Sequence, residues 1–432
     1  MQISHYLKVY PYEEETGHLI LFSTKQASKV LIKKETFLSI ERGTLLPEDA
    51  DLLTKLGMIV PDREAEKRSI VGIIENLNTD NPGMAVMVVL NLDCNFGCIY
   101  CYEGGIKGDL YMSEQTAHQF VKFIKSRFTG NKKTLVVDFY GGEPLLSIPL
   151  IKSIASELQA FTQKMGATFY FTLITNGSLF ARKVARELVP LGLRSAKITI
   201  DGPADIHNRY RPFKSGAGSF DIIIKNIKET CDLVDIGIGG NFDFQTYEKF
   251  VGLLDRLEEE GLTPDKIHRI KFDPVVQCPE GRISPMDYHD GCMSINEPWM
   301  VAAERLLRNE ILKRGYHTFK PVPMICMVEN DGAFVVNYSG EIYKCPAFIG
   351  QKEFAMGDLQ TGLKDGAGIY KPGIWKNGEC VECEYLPLCF GGCRYMTYIR
   401  DNKIDKPDCR RAYLDESLET LIKQDLLYSK PS

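Results

Sequence analysis

A chain of 432 residues with 44% hydrophobic and 25% charged content has material for two or three domains and the make-up of an ordinary soluble globular protein. Its net charge of −5 gives no general footprint for nucleic acid, and no apolar run approaches the ~18 residues that a membrane span needs. Met1 to Lys8 lacks a basic segment followed by an apolar core, so no signal peptide is read; thirteen cysteines without an export signal favour metal or redox chemistry in the cytoplasm over disulfides. Residues 1–80 read as a separate small module, winged-helix-like in outline. Its β-type runs at 8–10, 18–23 and 29–32 are joined by polar turns, with Glu13-Glu14-Glu15-Thr16-Gly17 as a hairpin loop. Helices at 34–40 and 47–57 follow, the second ending at Gly57, which suits a left-handed cap. The charged stretch from Asp62 through Gly83 reads as a linker. From about residue 84 to 300, strands at 86–92, 134–140, 168–174, 195–200, 235–241 and 268–276 alternate with amphipathic helical stretches near 113–128, 148–165, 179–190, 219–232 and 245–260. Such α/β alternation implies βαβ units on a parallel sheet, and six of them make a partial (β/α)6 TIM-like barrel with ligands at the carboxyl ends of its strands. A cysteine-rich region covers 315–415, and 416–432 reads as a C-terminal tail.

Directly after the first barrel strand stand Cys94, Cys98 and Cys101, spaced C-x3-C-x2-C, with Tyr100 before the third. Three thiolates can hold three corners of a cubane iron–sulfur cluster, whereas clusters that only carry electrons normally have four such ligands. One iron is then open to chelate a small molecule, as a catalytic zinc keeps a position for water. A structural zinc knuckle is the competing use, but zinc motifs supply two C-x2-C pairs or a compact Cys/His set, and the next histidine, His118, falls in a helical stretch. The spacing resembles the signature of the radical S-adenosylmethionine (radical SAM) enzymes. That resemblance implies a 4Fe-4S cluster on Cys94, Cys98 and Cys101 with S-adenosyl-L-methionine at the open iron. It also implies reductive cleavage of the sulfonium to methionine and a 5′-deoxyadenosyl radical, followed by hydrogen abstraction from an unactivated carbon.

Three further stretches follow strands on the same rim. Tyr140-Gly141-Gly142-Glu143-Pro144 resembles the family's Gly-Gly-Glu-Pro motif; its glycines let backbone approach a ligand closely, and its backbone with Glu143 is expected to hold the amino group of the methionine moiety. Thr175-Asn176-Gly177 and Thr199-Ile200-Asp201-Gly202-Pro203 resemble segments of the SPASM-containing subfamily. There a Ser, here Thr199, and an Arg twelve residues on, here Arg211, contact the ribose and carboxylate of the cofactor. Asn176 joins this set. Asp201 either organises the turn or touches ligand, and His207 caps a helix.

In the C-terminal region Cys326, Gly340 and Cys345 stand as C-x13-G-x4-C, and Cys380, Cys383, Cys389 and Cys393 as C-x2-C-x5-C-x3-C, with Cys409 further on. The pattern resembles the SPASM domain and implies two auxiliary 4Fe-4S clusters. Cys380, Cys383, Cys389 and Cys409 would hold the outer one, and Cys326, Cys345 and Cys393 the inner one. The inner fourth ligand is Cys278, Cys292 or none, the last leaving an iron for a substrate thiolate; a zinc ribbon is the competing use of 380–393. Cys231 reads as an apolar residue buried in a helix.

SPASM enzymes mostly act on peptides or proteins, so the resemblance implies a precursor peptide with a leader segment as partner, recognised by the amino-terminal module at an exposed strand edge. A flavodoxin- or ferredoxin-like protein is the expected electron donor, and no nucleic acid or membrane partner is expected. The run Cys345-Pro346-Ala347-Phe348 with Cys393-Arg394-Tyr395 looks most like geopeptide-type precursor maturases. The expected product is a thioether or other cross-link, or an epimerised centre. An anaerobic sulfatase-maturing enzyme is the alternative, although such enzymes carry an acid after the inner-cluster cysteine where Pro346 stands here. An iron–sulfur electron carrier or scaffold is the alternative from another class.

Overall fold

The computed structural model describes residues 1–277, 288, 290–364 and 368–428. Strands β1 (Gln2–Ile3), β2 (Leu7–Tyr12), β3 (His18–Ser23), β4 (Lys29–Lys33) and β5 (Ile59–Val60) form two small antiparallel units, β1 with β5 and β2–β3–β4 in that order. Between them lie helices α1 (Lys34–Arg42) and α2 (Pro47–Lys55). Alternation along β3 divides its side chains. Leu21 packs with Leu7, Leu53, Met58 and Ile59 beneath the helices, while Ile20 and Phe22 face the far end of the chain.

The stretch read as a linker is instead helix α3 (Arg63–Asp80). The Asp62 carboxylate caps it, accepting the Glu64 N–H at 2.8 Å. Ile70 and Ile74, one turn apart, bury against Tyr6, Trp375, Leu386 and Phe390. Charge concealed this apolar stripe, because Lys67 and Glu75 are spent on surface pairs with Glu382 and Lys376.

Strands β6 (Gly83–Val89), β7 (Thr134–Tyr140), β8 (Thr168–Thr175), β9 (Leu193–Thr199), β10 (Asp235–Phe242) and β11 (Ile267–Pro274) run parallel and neighbour one another in chain order. The crossovers carry α4 (Glu114–Arg127), α5 (Ile148–Lys164), α6 (Arg182–Leu188), α7 (Ala204–Tyr210), α8 (Phe220–Thr230) and α9 (Phe250–Glu259), with α10 (Pro298–Lys313) after β11. Odd and even positions have opposite duties. Leu135, Val137, Phe139, Phe171, Leu173, Ala196, Ile198, Ile236 and Ile238 share one core with the helices, and the residues between them turn to the other face. The last strand stops at Pro274, short of 276, and Val276 makes only an isolated bridge to Cys292.

The cysteine-rich region shares this sheet. Strand β12 (Ala333–Val336) lies parallel beside β6, and β13 (Glu341–Tyr343), β14 (Gly357–Asp358) and β15 (Gly362–Leu363) continue it antiparallel to ten strands. Short helices α11 (Gly378–Val381), α12 (Leu386–Cys389) and α13 (Arg394–Asp401) follow. The expected tail is helix α14 (Arg411–Leu427), whose Leu414, Leu418 and Ile422 cover Ile20 and Phe22 of β3. Its Asp425 is buried between Arg308 of α10 and Lys29 of β4, the latter at 2.7 Å. No helix among the described residues is long and apolar enough to cross a membrane.

Candidate active site at the carboxyl ends of the strands

The three-cysteine loop leaves β6 and is strapped to the segment that follows α7. Gly97 N–H donates to Pro212 O at 2.8 Å, Ile99 N–H to Tyr210 O at 3.0 Å, and Phe96 packs edge-on against Phe213. Cys94, Cys98 and Cys101 line one cavity of about 450 Å³, together with Tyr100, Gly141, Gly142, Asn176, Thr199 and Arg211. Glu143, Pro144 and Asp201 stand behind its wall.

The two glycines meet protein backbone as well as the cavity. A Cβ at Gly142 would lie 2.1 Å from Asp93 O, and one at Gly141 would lie 2.5 Å from Asn91 O. Gly142 N–H donates to Asn91 O at 3.0 Å and Glu143 N–H to Asp93 O at 2.8 Å. The turn after β7 thus presses on the residues that lead into Cys94. Glu143 itself is fully buried: Oε1 accepts from Leu145 N–H at 3.0 Å and Thr175 Oγ1 at 2.7 Å, and Oε2 from Asn176 N–H at 2.8 Å. One lone pair of Oε2 is left over. Burial raises its pKa, and those three donors and Arg211 work against the rise. Pro144 is buried at the start of the short turn that Glu143 caps.

Tyr100 is the hub of a second network. Its hydroxyl donates to Asp201 and accepts from Arg211 Nη1 at 2.7 Å and Asn241 Nδ2 at 3.1 Å. Asp201 Oδ1 also accepts the Asn241 N–H at 2.8 Å, so this carboxylate organises the rim. His207 does not cap a helix. It is buried within α7, where Nδ1 accepts the Asp201 N–H at 3.0 Å; the ring proton is therefore assigned to Nε2, 3.0 Å from Ser219 Oγ. Burial, then Arg211, holds its pKa well below the usual histidine value. Ser219 Oγ in turn donates to Arg211 O at 2.6 Å and fixes the arginine.

Several residues of the cavity wall were not assigned a role from the sequence. Lys107 sits in the cavity wall; burial disfavours its ammonium, but Cys101, Cys94 and Cys98 hold its pKa above the usual range. Cys98 is pushed up to about 11 by burial, with Arg211 and Lys107 pulling the other way. Met87, Tyr140, Ile174 and Asn241 also line the cavity, and strand alternation would have found them: each lies on the opposite face from Val88, Phe139, Leu173 or Phe242. Tyr102 joins Tyr140 hydroxyl to hydroxyl.

The cavity extends to the cysteine-rich region, where Pro346, Ala347 and Tyr395 complete its wall beside Cys345 and Cys393. The seven thiols there fall into two sets. Burial raises Cys345, and Cys393 and Cys326 add to the rise; burial raises Cys380, with Cys389, Cys383 and Cys409 adding. Cys292 is buried with Met300 and Met396, with Cys393 packed against that group; Cys278 lies outside the described residues. Cys231 is only half-buried, at the C-cap of α8, its thiol 3.7 Å from Lys228 O.

The donor set fits the implied cofactors. Three thiols beside two half-buried cations, Lys107 and Arg211, suit an anionic three-thiolate cluster. Arg211 Nε is a buried donor without a hydrogen-bond partner in a cavity wall, and asks for an acceptor such as a carboxylate.

A parallel sheet of this order with such a loop after its first strand defines a radical SAM enzyme, and residues 88–257 match the model of the Radical SAM superfamily. More narrowly, the protein is related to the SPASM-type peptide maturases. It is 24% identical over 361 residues to the radical SAM cyclopropyl synthase TigE of Paramaledivibacter caminithermalis, covering 77% of this chain and 71% of that one. Its fold is similar to native anSMEcpe with bound AdoMet and Kp18Cys peptide, at a TM-score of 0.60 and 17% identity over 80% of this chain and 99% of the other. It is also similar to Streptococcus suis SuiB bound to precursor peptide SuiA, at 0.53 and 14% over 94% and 98%.

Proposed function

We propose that the protein is a cytoplasmic maturase that abstracts hydrogen from a residue of a ribosomally made precursor peptide and forms a thioether or related cross-link. The observation that carries this is the single cavity running from the three-cysteine loop to the flank of Cys345 and Cys393. Cys94, Cys98 and Cys101 would hold a 4Fe-4S cluster, and the cluster with S-adenosyl-L-methionine supplies a carbon radical able to take hydrogen from an unactivated C–H bond. Around it Lys107 and Arg211 balance thiolate charge, Arg211 Nε and Thr199 offer donors to a nucleoside carboxylate or ribose, and Asn176 is pinned 2.7 Å from Asn95 Oδ1 to shape the floor. The Gly141–Gly142 backbone, which lines the cavity, takes the amino group, and Glu143 holds that turn from behind the wall through Leu145, Thr175 and Asn176.

In this reading Cys380, Cys383, Cys389 and Cys409 hold one auxiliary 4Fe-4S cluster, and Cys326, Cys345 and Cys393 the other. A corner of the second is left to a substrate thiol, which favours the thioether. Pro346 after Cys345 puts no carboxylate where formylglycine formation would want a base. The parallel strands act as a partial (β/α)6 barrel, residues 1–80 as the winged-helix-like leader-binding module, and 315–415 as the SPASM domain. A flavodoxin- or ferredoxin-like protein delivers the electron. The peptides bound to relatives support a peptide substrate: SuiB is bound to its precursor peptide SuiA, and anSMEcpe to the Kp18Cys peptide.

Reconstituted enzyme, dithionite, S-adenosyl-L-methionine and a Cys-containing candidate peptide are expected to yield 5′-deoxyadenosine and a peptide lighter by the mass of two hydrogens. The triple Ala variant of Cys94, Cys98 and Cys101 should make none of the nucleoside while keeping its auxiliary iron. Wild-type protein that leaves the cofactor intact would refute the proposal.

A further inference from the structure

The alternation that turns Thr199 and Asn241 toward the first cavity continues down the strands to a second one. At the amino ends of β8–β11 a cavity of about 470 Å³ is lined by Tyr170, Arg194, Lys197, Arg269, Lys271 and Phe319. Lys197 lines both cavities, so it stands where one gives way to the other. Two glycines of β10 keep this interior clear. A Cβ at Gly237 would find nothing nearer than 3.9 Å, and one at Gly239 would strike Lys197 Cε at 2.7 Å.

The second cavity is cationic in a chain whose net charge is −5: Arg194, Lys197, Arg269 and Lys271 face one lining carboxylate, Asp235. Arg194 stacks over the Tyr170 ring at 4.9 Å, and Arg269 and Lys271 over Phe319 at 4.6 and 5.2 Å. Asp273 satisfies Lys271 at 2.5 Å and reaches Lys197 at 3.8 Å. Among the described residues no carboxylate lies within ion-pair distance of Arg194 or Arg269; their partners are rings. A guanidinium held over an aromatic ring still has N–H donors to offer a planar anion, and that fork suits carboxylates.

We propose that this groove is a second substrate mouth, in which Arg194 and Arg269 bind carboxylates of an acidic stretch of the peptide whose modified residue lies in the first cavity, with Lys197 between. This rests on the peptide-modifying reading above. Both arginines lie outside the cysteine and nucleotide machinery, so their exchange leaves peptide-independent 5′-deoxyadenosine formation unchanged.

The probe is a fluorescein-labelled tetraglutamate peptide, followed by anisotropy with full-length reconstituted enzyme. The R194Q/R269Q double variant is expected to bind it at least about tenfold more weakly, while K228Q, a surface control, binds as wild type does. R269K, which keeps the charge, should retain most of the binding. Equal binding by the double variant, equal binding of a tetralysine probe by wild type, or loss in K228Q as large as in the double variant overturns the proposal. So does displacement by inorganic phosphate but not by chloride at matched ionic strength, which would assign the groove to a small anion. Absence of 5′-deoxyadenosine from wild type sinks the maturase reading instead, a result that the anisotropy measurement does not share.

Discussion

Replacing Gly142 by Ala tests how the turn after β7 positions the cysteine loop. The new Cβ would sit 2.1 Å from Asp93 O and 2.7 Å from Asp93 C, and real Cβ atoms essentially never come within 3.0 Å. A shift of at least 0.9 Å follows from the difference between 3.0 and 2.1 Å, and both obstacles are backbone, so no side-chain rotation relieves it. Moving the strand ends apart stretches Gly142 N–H to Asn91 O and Glu143 N–H to Asp93 O, now 3.0 and 2.8 Å. Overpacking together with two weakened hydrogen bonds costs about 2–5 kcal/mol. Asp93 is the neighbour of Cys94, so the displacement is handed to the first thiol, and a misplacement near 1 Å lowers a rate by roughly a hundredfold. The assay is 5′-deoxyadenosine formed per reconstituted chain, with iron content measured in parallel. We expect near-total loss of the nucleoside with most iron retained on the other seven cysteines. A G142A enzyme that cleaves the cofactor at the wild-type rate would refute the argument that this contact sets the loop.

Two other outcomes follow from the network around Tyr100. R211K keeps the charge but loses the guanidinium fork that holds Tyr100 at 2.7 Å and carries the unpartnered Nε; binding of S-adenosyl-L-methionine, measured by equilibrium dialysis, should weaken about tenfold, and unchanged binding would contradict the role given to Arg211. His207 has its pKa depressed by burial and by Arg211, so below the unfolded value near 6.5 the unfolded chain takes up a proton that the native state refuses. Stability present above that pH is therefore lost as pH falls, by up to about 1.4 kcal/mol per pH unit. H207Q removes this component, so urea midpoints of wild type should fall more steeply than those of H207Q between about pH 6.5 and 5; parallel lines would show that His207 is not held neutral.

The readable parts of the sequence were those where a pattern has one physical use. Strands β7 to β10 were bounded to within two residues because alternating apolar positions serve only a half-buried strand there. The division of seven C-terminal cysteines into sets of three and four stays a proposal from the resemblance; Cys345 has Cys393 and Cys326 as neighbouring thiols, and Cys380 has Cys389, Cys383 and Cys409. Helix α3 was hidden because its apolar stripe is only Ile70 and Ile74 deep, within a run of charges that pair across to another part of the chain. Helix α14 was hidden because the surfaces it covers, on β3 and α10, lie far back in the chain, Arg308 of α10 standing 117 residues before its partner Asp425. The glycines after β7 were read as room for a ligand, and part of their purpose is room for Asn91 and Asp93. Lys107 is a lone lysine in a loop; nothing about its neighbours in sequence announces that three thiols surround it.

The manner in which the chain's beginning is fastened to its end limits how the enzyme can be re-engineered. Trp375, Leu386 and Phe390, which flank the outer cysteines, are roofed by Tyr6, Ile70 and Ile74. Grafting a foreign adaptor in place of the first eighty residues would strip that roof and wet the shelter of Cys380, Cys383 and Cys389. Any such graft therefore has to leave α3 with its host and supply an aromatic ring where Tyr6 now stands.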